Sequence, residues 1–213
     1  MADVTRLLCS LLLLAAAMSG CDAASPTAPD APQGSVLDCG RFTAQTSSAY
    51  ILPYPVGQAA TVSRTFEHGP PQGYAVDFLR PIGSLVVAAR AGLVVEVDER
   101  WSDADHAFGH ENHVFIAHDD GTVARYFHLT QAGADVAVGE RVAQGQSIGR
   151  SGDSGNSTSP HLHFDVVERP CEGPWPQGPY SDACHNTVPV SFRNTRPHTC
   201  GLTSGVAYTA LPQ

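Results

Sequence analysis

Two histidines separated by a single residue, His161 and His163, are the part of this sequence best suited to chemistry. If residues 159–165 form a β-strand, the two-residue period places both imidazoles on one face, about 7 Å apart along the strand. Leu162 and Phe164 then point to the opposite face, into a core. Two neighbouring imidazoles can serve one site, one as a metal ligand and the other as an acid or base. Taken alone, the pair favours two solvated strand residues over a metal site.

Five short motifs follow one another along the chain, and the last of them contains this histidine pair. Together they resemble the lysostaphin/LytM-type zinc metallopeptidases, a family of peptidoglycan endopeptidases. The resemblance extends over residues 66–167, and the block 139–164 is its most specific part. The motifs are Tyr74-Ala75-Val76-Asp77-Phe78, Ala88-Ala89-Arg90-Ala91-Gly92, Tyr126-Phe127-His128-Leu129, Val142-Ala143-Gln144-Gly145-Gln146-Ser147-Ile148-Gly149 and Pro160-His161-Leu162-His163-Phe164.

The resemblance implies a Zn²⁺ site held by a histidine, an aspartate and the second histidine of the His-x-His pair. Asp77 and His163 match the last two ligands. Three protein ligands leave one coordination position open, as in catalytic zinc sites. The usual His-x-x-x-Asp pattern would place the first histidine at position 73, where this chain has Gly73. Similar variants of the family use a histidine in the preceding loop. Because Gly and Pro favour tight turns, we predict that His68 completes the set; without it, the domain would be a degenerate relative.

His128 and His161 match the two further active-site histidines of the family. Hydrolysis of an amide needs a base that accepts a proton from water and a positive group near the developing oxyanion. We predict His161 as the general base and His128 as the partner of the substrate or the oxyanion. The sequence also permits the exchange of these two roles.

Three other histidines, His106, His110 and His113, surround Glu111 and could suggest a second metal site. The intervening glycine and the strand pattern that follows argue against the helix that such spacing would need, so we predict a surface loop. The Gly- and Ser-rich stretch 151–157 lacks both the nucleophile pattern of serine hydrolases and the ligand spacing of calcium loops. The resemblance implies that this stretch borders a substrate groove.

Short apolar segments between turn residues predict a mainly β fold. Segments 85–88 and 93–97 are expected to pair, and segments 112–118 and 122–128 flank a hairpin turn at Asp119-Asp120-Gly121. We find no long helical periodicity. The prediction is therefore a compact antiparallel β domain, and the resemblance implies the LytM/lysostaphin-like, duplicated-hybrid or barrel-sandwich type.

We assign this peptidase domain to residues 37–213, with its motif core at 66–167. After residue 167 the chain becomes rich in Pro, Gly and Cys. Residues 168–213 are predicted to be an irregular, disulfide-held C-terminal extension, with one strand-like piece at 187–192.

The N-terminal segment has the features of a bacterial lipoprotein signal. Arg6 precedes the apolar run 7–18, which is too short to span a bilayer. Small residues before Cys21 resemble a lipobox. We predict a signal peptide at 1–20, lipid on Cys21, and a flexible tether at 21–36 whose small and proline residues cannot form a core. The alternative is an ordinary signal peptide, with Cys21 in a disulfide.

Removal of Cys9 with the signal and assignment of Cys21 to lipid leave four cysteines, which fits two disulfides in an oxidising compartment. We favour Cys39–Cys200 and Cys171–Cys184, although four cysteines permit three pairings. A four-cysteine zinc site is disfavoured because the chain has no Cys-x-x-Cys pair.

The net charge is -9, and all twelve basic residues are arginine without a basic run. This argues against nucleic acid as a partner. We expect a zinc endopeptidase that acts on peptidoglycan cross-links or stem peptides, lipid-anchored in the cell envelope on its periplasmic or extracellular face. The alternatives are a catalytically degenerate domain that binds the cell wall or regulates a cell-wall amidase, and a protein that sequesters metal. The sequence selects neither the peptide bond nor the membrane, nor does it exclude other cell-wall enzymes as partners.

Overall fold

The computed structural model describes residues 39–69, 71–168 and 187–213. In these ranges the fold is mainly β, as predicted, with three short 3₁₀ turns. No helix among the described residues is long and apolar enough to cross a membrane. The strands are β1 Ala59–Arg64, β2 Val76–Leu79, β3 Leu85–Val87, β4 Gly92–Asp98, β5 His113–Ala117, β6 Thr122–Phe127, β7 Leu129–Ala134, β8 Arg141–Val142, β9 Ser147–Ser151, β10 His161–Glu168 and β11 Ala207–Thr209.

These strands form two antiparallel sheets. In the described part of the chain, the larger sheet has the order β11-β1-β2-β10-β6-β5-β4-β8 and the smaller sheet the order β3-β9-β7. Phe78 and Phe164 of the larger sheet and Ile148 of the smaller sheet belong to one apolar cluster. The two sheets therefore share a core, and one face of the larger sheet is buried in it.

Strand β10 lies at the centre of the larger sheet, paired with β2 on one side and β6 on the other. Its alternation matches the prediction, because Leu162 and Phe164 are fully buried in the shared core. The two-residue period then places His161, His163 and Asp165 on the opposite face. A central strand with both neighbours paired is a rigid base for functional side chains.

The predicted hairpin between segments 112–118 and 122–128 is confirmed as β5 paired with β6. Gly121 has φ +86°, and the Asp120 carboxylate accepts hydrogen bonds from the backbone N–H and hydroxyl of Thr122. The predicted pairing of segments 85–88 and 93–97 is wrong. β3 pairs with β9, whereas β4 pairs with β5 and β8, because the chain passes from one sheet to the other between them.

The predicted strand-like piece at 187–192 forms only isolated bridges, Thr187 with Val167 and Phe192 with Tyr50. Pro189 within it has no backbone N–H for a ladder. The predicted Cys39–Cys200 disulfide is confirmed. Cys171 and Cys184, the predicted signal peptide at 1–20 and the tether at 21–36 lie outside the described residues.

Candidate active site

Strands β2 and β10 position two of the three predicted metal ligands. Asp77 on β2 lies directly opposite His163 on β10 in the strand register. The Nδ1 atom of His163 is 2.9 Å from Oδ1 of Asp77, and both residues are buried. Backbone pairing between the two strands therefore fixes this half of the site.

The third predicted ligand comes from a loop. His68 ends a 3₁₀ turn, Phe66–His68, that follows β1, and Gly69 turns the chain away with φ +67°. The Nε2 atom of His68 lies 3.3 Å from Oδ1 of Asp77. One donor atom from each of His68, Asp77 and His163 falls within 4.8 Å of the others. The structure thus brings the three residues together although position 73 is glycine.

The chemistry of this group suits a zinc ion. Nε2 of His68 is buried and has no hydrogen-bond partner in the described structure. It lies within ion-pair distance of Asp77 but makes no hydrogen bond with it. An unpaired buried donor or acceptor costs about 1–3 kcal/mol, which a cation between the three side chains would remove. Two imidazole nitrogens and one carboxylate oxygen are a donor set that zinc prefers.

The electrostatics also favour positive charge at this point. Burial raises the pKa of Asp77, but the hydrogen bond with His163 and the nearby His68 imidazole outweigh it and hold that pKa far below its usual range. Burial lowers the pKa of His163, but Asp165 and Asp77 outweigh it and raise that pKa to about 10. A metal ion must displace this proton, so zinc binding releases protons and weakens as the pH falls.

A buried ion pair supports His163 from behind, and the sequence analysis missed it. Nε2 of His163 is 3.2 Å from Oδ2 of Asp165. Arg125, opposite Asp165 in the register, donates to its two oxygens at 2.7 and 2.6 Å. When Nε2–H donates to this carboxylate, Nδ1 stays free for the metal, as is usual for ligating histidines. The two-residue spacing from His163 could have revealed Asp165, but nothing local marked Arg125.

We expect replacement of this pair in the double variant Arg125→Met/Asp165→Leu to leave a folded protein that binds zinc about 10- to 100-fold more weakly. Apolar groups of similar volume often substitute for a buried pair without loss of stability. The measurements are zinc affinity by chelator competition and the melting temperature of the metal-free protein. The matched control makes the same changes at the partly exposed pair Arg90 and Asp120. Unchanged zinc affinity in the folded Arg125/Asp165 variant would contradict the role of the pair.

His161 and His128 stand beside the three predicted ligands, with ring centroids 4.5 Å apart. Nδ1 of His161 is 2.7 Å from the Ser159 carbonyl oxygen, and Nδ1 of His128 is 2.7 Å from that of Ser154. Because a carbonyl only accepts, each Nδ1 carries the hydrogen and each Nε2 of the neutral ring has a lone pair. Nε2 of His161 lies 3.6 Å from Oδ1 of Asp77, beside the metal position.

Both of these imidazoles are neutral near pH 7. Burial lowers the pKa of His128 to about 3 and also lowers the pKa of His161. Neutral rings with free Nε2 lone pairs accept hydrogen bonds from water or substrate. His128 also has φ +61°, a left-handed conformation that is uncommon for a residue other than glycine. Backbone outliers of this kind cluster at functional sites.

A groove surrounds these side chains. Residues of the 151–157 stretch, including Asn156, line one edge, as the family resemblance implied. The backbone N–H of Asn156 donates to Oε1 of Glu111, and a Cβ at Gly155 would lie 2.6 Å from the Glu111 nitrogen. Glycine thus permits close packing of this loop. The groove is lined by Ser63, Arg64, His68, Gln72, Asp77, Phe108, Glu111, Phe127, His128, Asn156, Ser157, Thr158, Ser159, His161 and His163.

The predicted surface loop for the remaining histidine cluster is correct only in part. His106 is exposed and His110 half-buried, but His113 is a buried residue of β5. Its Nδ1 bonds to the Glu111 carbonyl oxygen at 2.7 Å, and its ring stacks on Phe115. β5 begins at His113, and the His113 ring packs against Phe115 and Phe127 rather than facing solvent. Glu111 is likewise buried, at the groove.

Part of this chain is similar to known proteins. The sequence pattern of peptidase family M23 matches residues 72–173, a range that begins after His68. Lysostaphin of Staphylococcus simulans is 41% identical over 92 residues, 43% of this chain and 17% of that protein. Peptidoglycan DD-endopeptidase ShyA of Vibrio cholerae is 37% identical over 93 residues, 44% of this chain and 20% of that protein.

Glycyl-glycine endopeptidase ALE-1 of Staphylococcus capitis is 40% identical over 92 residues, 43% of this chain and 23% of that protein. Among solved structures, the catalytic domain of lysostaphin from Staphylococcus simulans matches with 31% identity and a TM-score of 0.41, covering 65% of this chain and 84% of that chain. The chain spans only about a fifth of the length of these curated relatives. The similarity is thus one of a shared domain, and the chain contains a domain of peptidase family M23.

Proposed function

We propose that this protein is a zinc endopeptidase that hydrolyses peptide bonds in peptidoglycan cross-links or stem peptides. His68, Asp77 and His163 hold the metal, and His161 and His128 handle protons. The observation that carries the proposal is the approach of three donor atoms to within 4.8 Å of one another in a groove lined by both further histidines.

The reaction follows from the positions of the protein's own groups. Zinc, when bound, polarises a substrate carbonyl and makes water a stronger acid. Nε2 of His161, beside Asp77, accepts the proton that the attacking water loses. His128 is neutral and presents its Nε2 lone pair, so it accepts a hydrogen bond from the substrate or water, and becomes a donor to an oxyanion only after gaining a proton.

Peptidoglycan peptides are the substrate class that the relatives support. One relative is named a glycyl-glycine endopeptidase and another a peptidoglycan DD-endopeptidase, and the two names refer to different bonds. The groove offers an exposed aromatic ring at Phe108 and the charged Arg64 and Glu111 along its walls. Such a lining suits an extended peptide with polar and charged groups. The test therefore includes both glycyl-glycine bonds and the bonds of direct cross-links.

A catalytically degenerate binding domain is not favoured. Its basis was the glycine at position 73, and His68 reaches Asp77 from the preceding turn instead. Metal sequestration is not favoured either, since the described residues contain a single cluster of three potential ligands.

The test is digestion of two purified peptidoglycans, one with glycine bridges and one with direct cross-links, followed by mass spectrometry of the released fragments. We expect one of them to be cleaved at a peptide bond, activity to disappear with a chelator, and zinc to restore it. If the folded, zinc-loaded protein binds both polymers and cleaves neither, the enzyme assignment is wrong.

We further infer that the domain works in the cell envelope, tethered through lipid on Cys21. The support is the small-residue sequence before this cysteine and the proline-spaced segment 21–36 after it. Mass spectrometry of the mature N-terminal peptide tests this inference. Diacylated Cys21 is the expected result, and an unmodified or uncleaved N-terminus would contradict it.

A further inference from the structure

We propose that Phe42, anchored by the Cys39–Cys200 disulfide, is a positioning residue for His68, so that loss of either the ring or the cross-link weakens zinc binding. The inference rests on the proposed function, because it concerns the same metal site. It assigns a role to the segments around Cys39 and Cys200, which lie outside the range 72–173 that matches the family.

Three aromatic rings pack edge to face beside the turn that carries His68. Phe42 lies 6.2 Å from Phe66 and 5.7 Å from Tyr74, and Phe66 lies 6.1 Å from Tyr74, measured between ring centroids. Arg41 adds a hydrogen bond to the Tyr74 hydroxyl and lies over its ring. Segment 39–42 therefore packs against this turn through Phe42 and against Tyr74 through Arg41 and Phe42.

The disulfide fixes that segment in place. Cys39 begins a 3₁₀ turn, and the backbone N–H of Phe42 donates to the Cys39 carbonyl oxygen at 3.3 Å. On the other side of the cross-link, Gly201 is buried, and a Cβ there would lie 2.9 Å from the Phe42 ring and 3.2 Å from the Phe66 ring. Cys39 therefore holds the turn that carries Phe42, and Cys200 directly precedes Gly201, which packs against the rings of Phe42 and Phe66.

His68 needs such support more than the other two predicted ligands do. Asp77 and His163 are held by backbone pairing within the larger sheet. His68 stands in a single 3₁₀ turn, Phe66–His68, whose first residue is the one packed against Phe42. A shift of Phe66 would therefore move His68 relative to the two strand residues.

The test measures zinc affinity by chelator competition in the purified full chain and in two variants. We expect Phe42→Ala to bind zinc at least about 10-fold more weakly, as for changes in the groups that orient metal ligands. Phe42→Leu, which keeps an apolar contact with Phe66, should recover part of the affinity. Cys39→Ser/Cys200→Ser should weaken binding in the same direction.

The control is Ile148→Val, a destabilising change on β9 in the shared core cluster, to which no residue of segment 39–42 belongs. It should lower the melting temperature but leave zinc affinity unchanged. Folded Phe42→Ala protein with wild-type zinc affinity would overturn this inference while leaving the metal site intact. A wild-type protein that binds no zinc would instead overturn the proposed function itself. If the cysteine variant does not fold, the Phe42 variants, with the disulfide intact, still decide the question.

Discussion

The His163→Ala variant is expected to lose its bound zinc and, with it, about 10³-fold or more of its hydrolytic activity, since metal catalysis supplies several kcal/mol of transition-state stabilisation. His163 is the predicted ligand with the most support, between Asp77 on one side and Asp165 on the other. Its removal takes away a donor atom and leaves two buried carboxylates without their shared partner. Zinc content by elemental analysis and the rate of peptidoglycan hydrolysis measure the two losses.

The control for this variant is His106→Ala, because His106 is exposed and outside the groove. It should keep one zinc per chain and full activity. Circular dichroism of both variants separates loss of metal from loss of fold. Wild-type hydrolysis by a folded His163→Ala protein would contradict the assignment of this residue.

The His161→Gln variant is expected to keep its zinc and to lose about 10²- to 10⁴-fold in kcat, the usual contribution of a positioned acid or base. Glutamine retains a polar side chain of similar length but cannot accept a proton near neutral pH. His161 hydrogen-bonds to the Ser159 carbonyl rather than to Asp165, so its replacement does not disturb the support of His163. Single-turnover kinetics and zinc analysis of the same preparation provide the measurement.

His128→Gln is the comparison that separates the two histidines. We expect a smaller loss of kcat than for His161→Gln, because Nε2 of His161 is the one placed beside Asp77. The opposite order would exchange the roles of base and oxyanion partner. Equal zinc loss in both variants would show that the rings act as ligands rather than in proton transfer.

The central part of the site could be predicted from sequence because it depends on local pattern. The alternation of residues 161–165 placed two histidines and two core residues on opposite faces of a strand, and the structure agrees. The Asp119-Asp120-Gly121 turn likewise determined the β5–β6 hairpin. Asp77 required the family resemblance, because nothing local distinguishes it from an ordinary strand carboxylate.

The remainder depends on contacts between distant segments. Arg125 reaches Asp165 only because β6 and β10 are neighbours, and their register brings the two residues face to face. The predicted pairing of 85–88 with 93–97 failed because proximity in sequence favours a hairpin, whereas the core directs β3 and β4 into different sheets. The loop prediction for His113 failed because its burial depends on the neighbouring strand β6, where Phe127 lies opposite it.

X-ray absorption at the zinc edge measures whether His68, Asp77 and His163 share one metal ion. We expect one zinc per chain with two imidazole nitrogens at about 2.0–2.1 Å and carboxylate or water oxygens at about 2.0–2.2 Å. The imidazole count should fall to one in His68→Ala protein. A wild-type spectrum with sulfur ligands, or one that His68→Ala leaves unchanged, would contradict the claim.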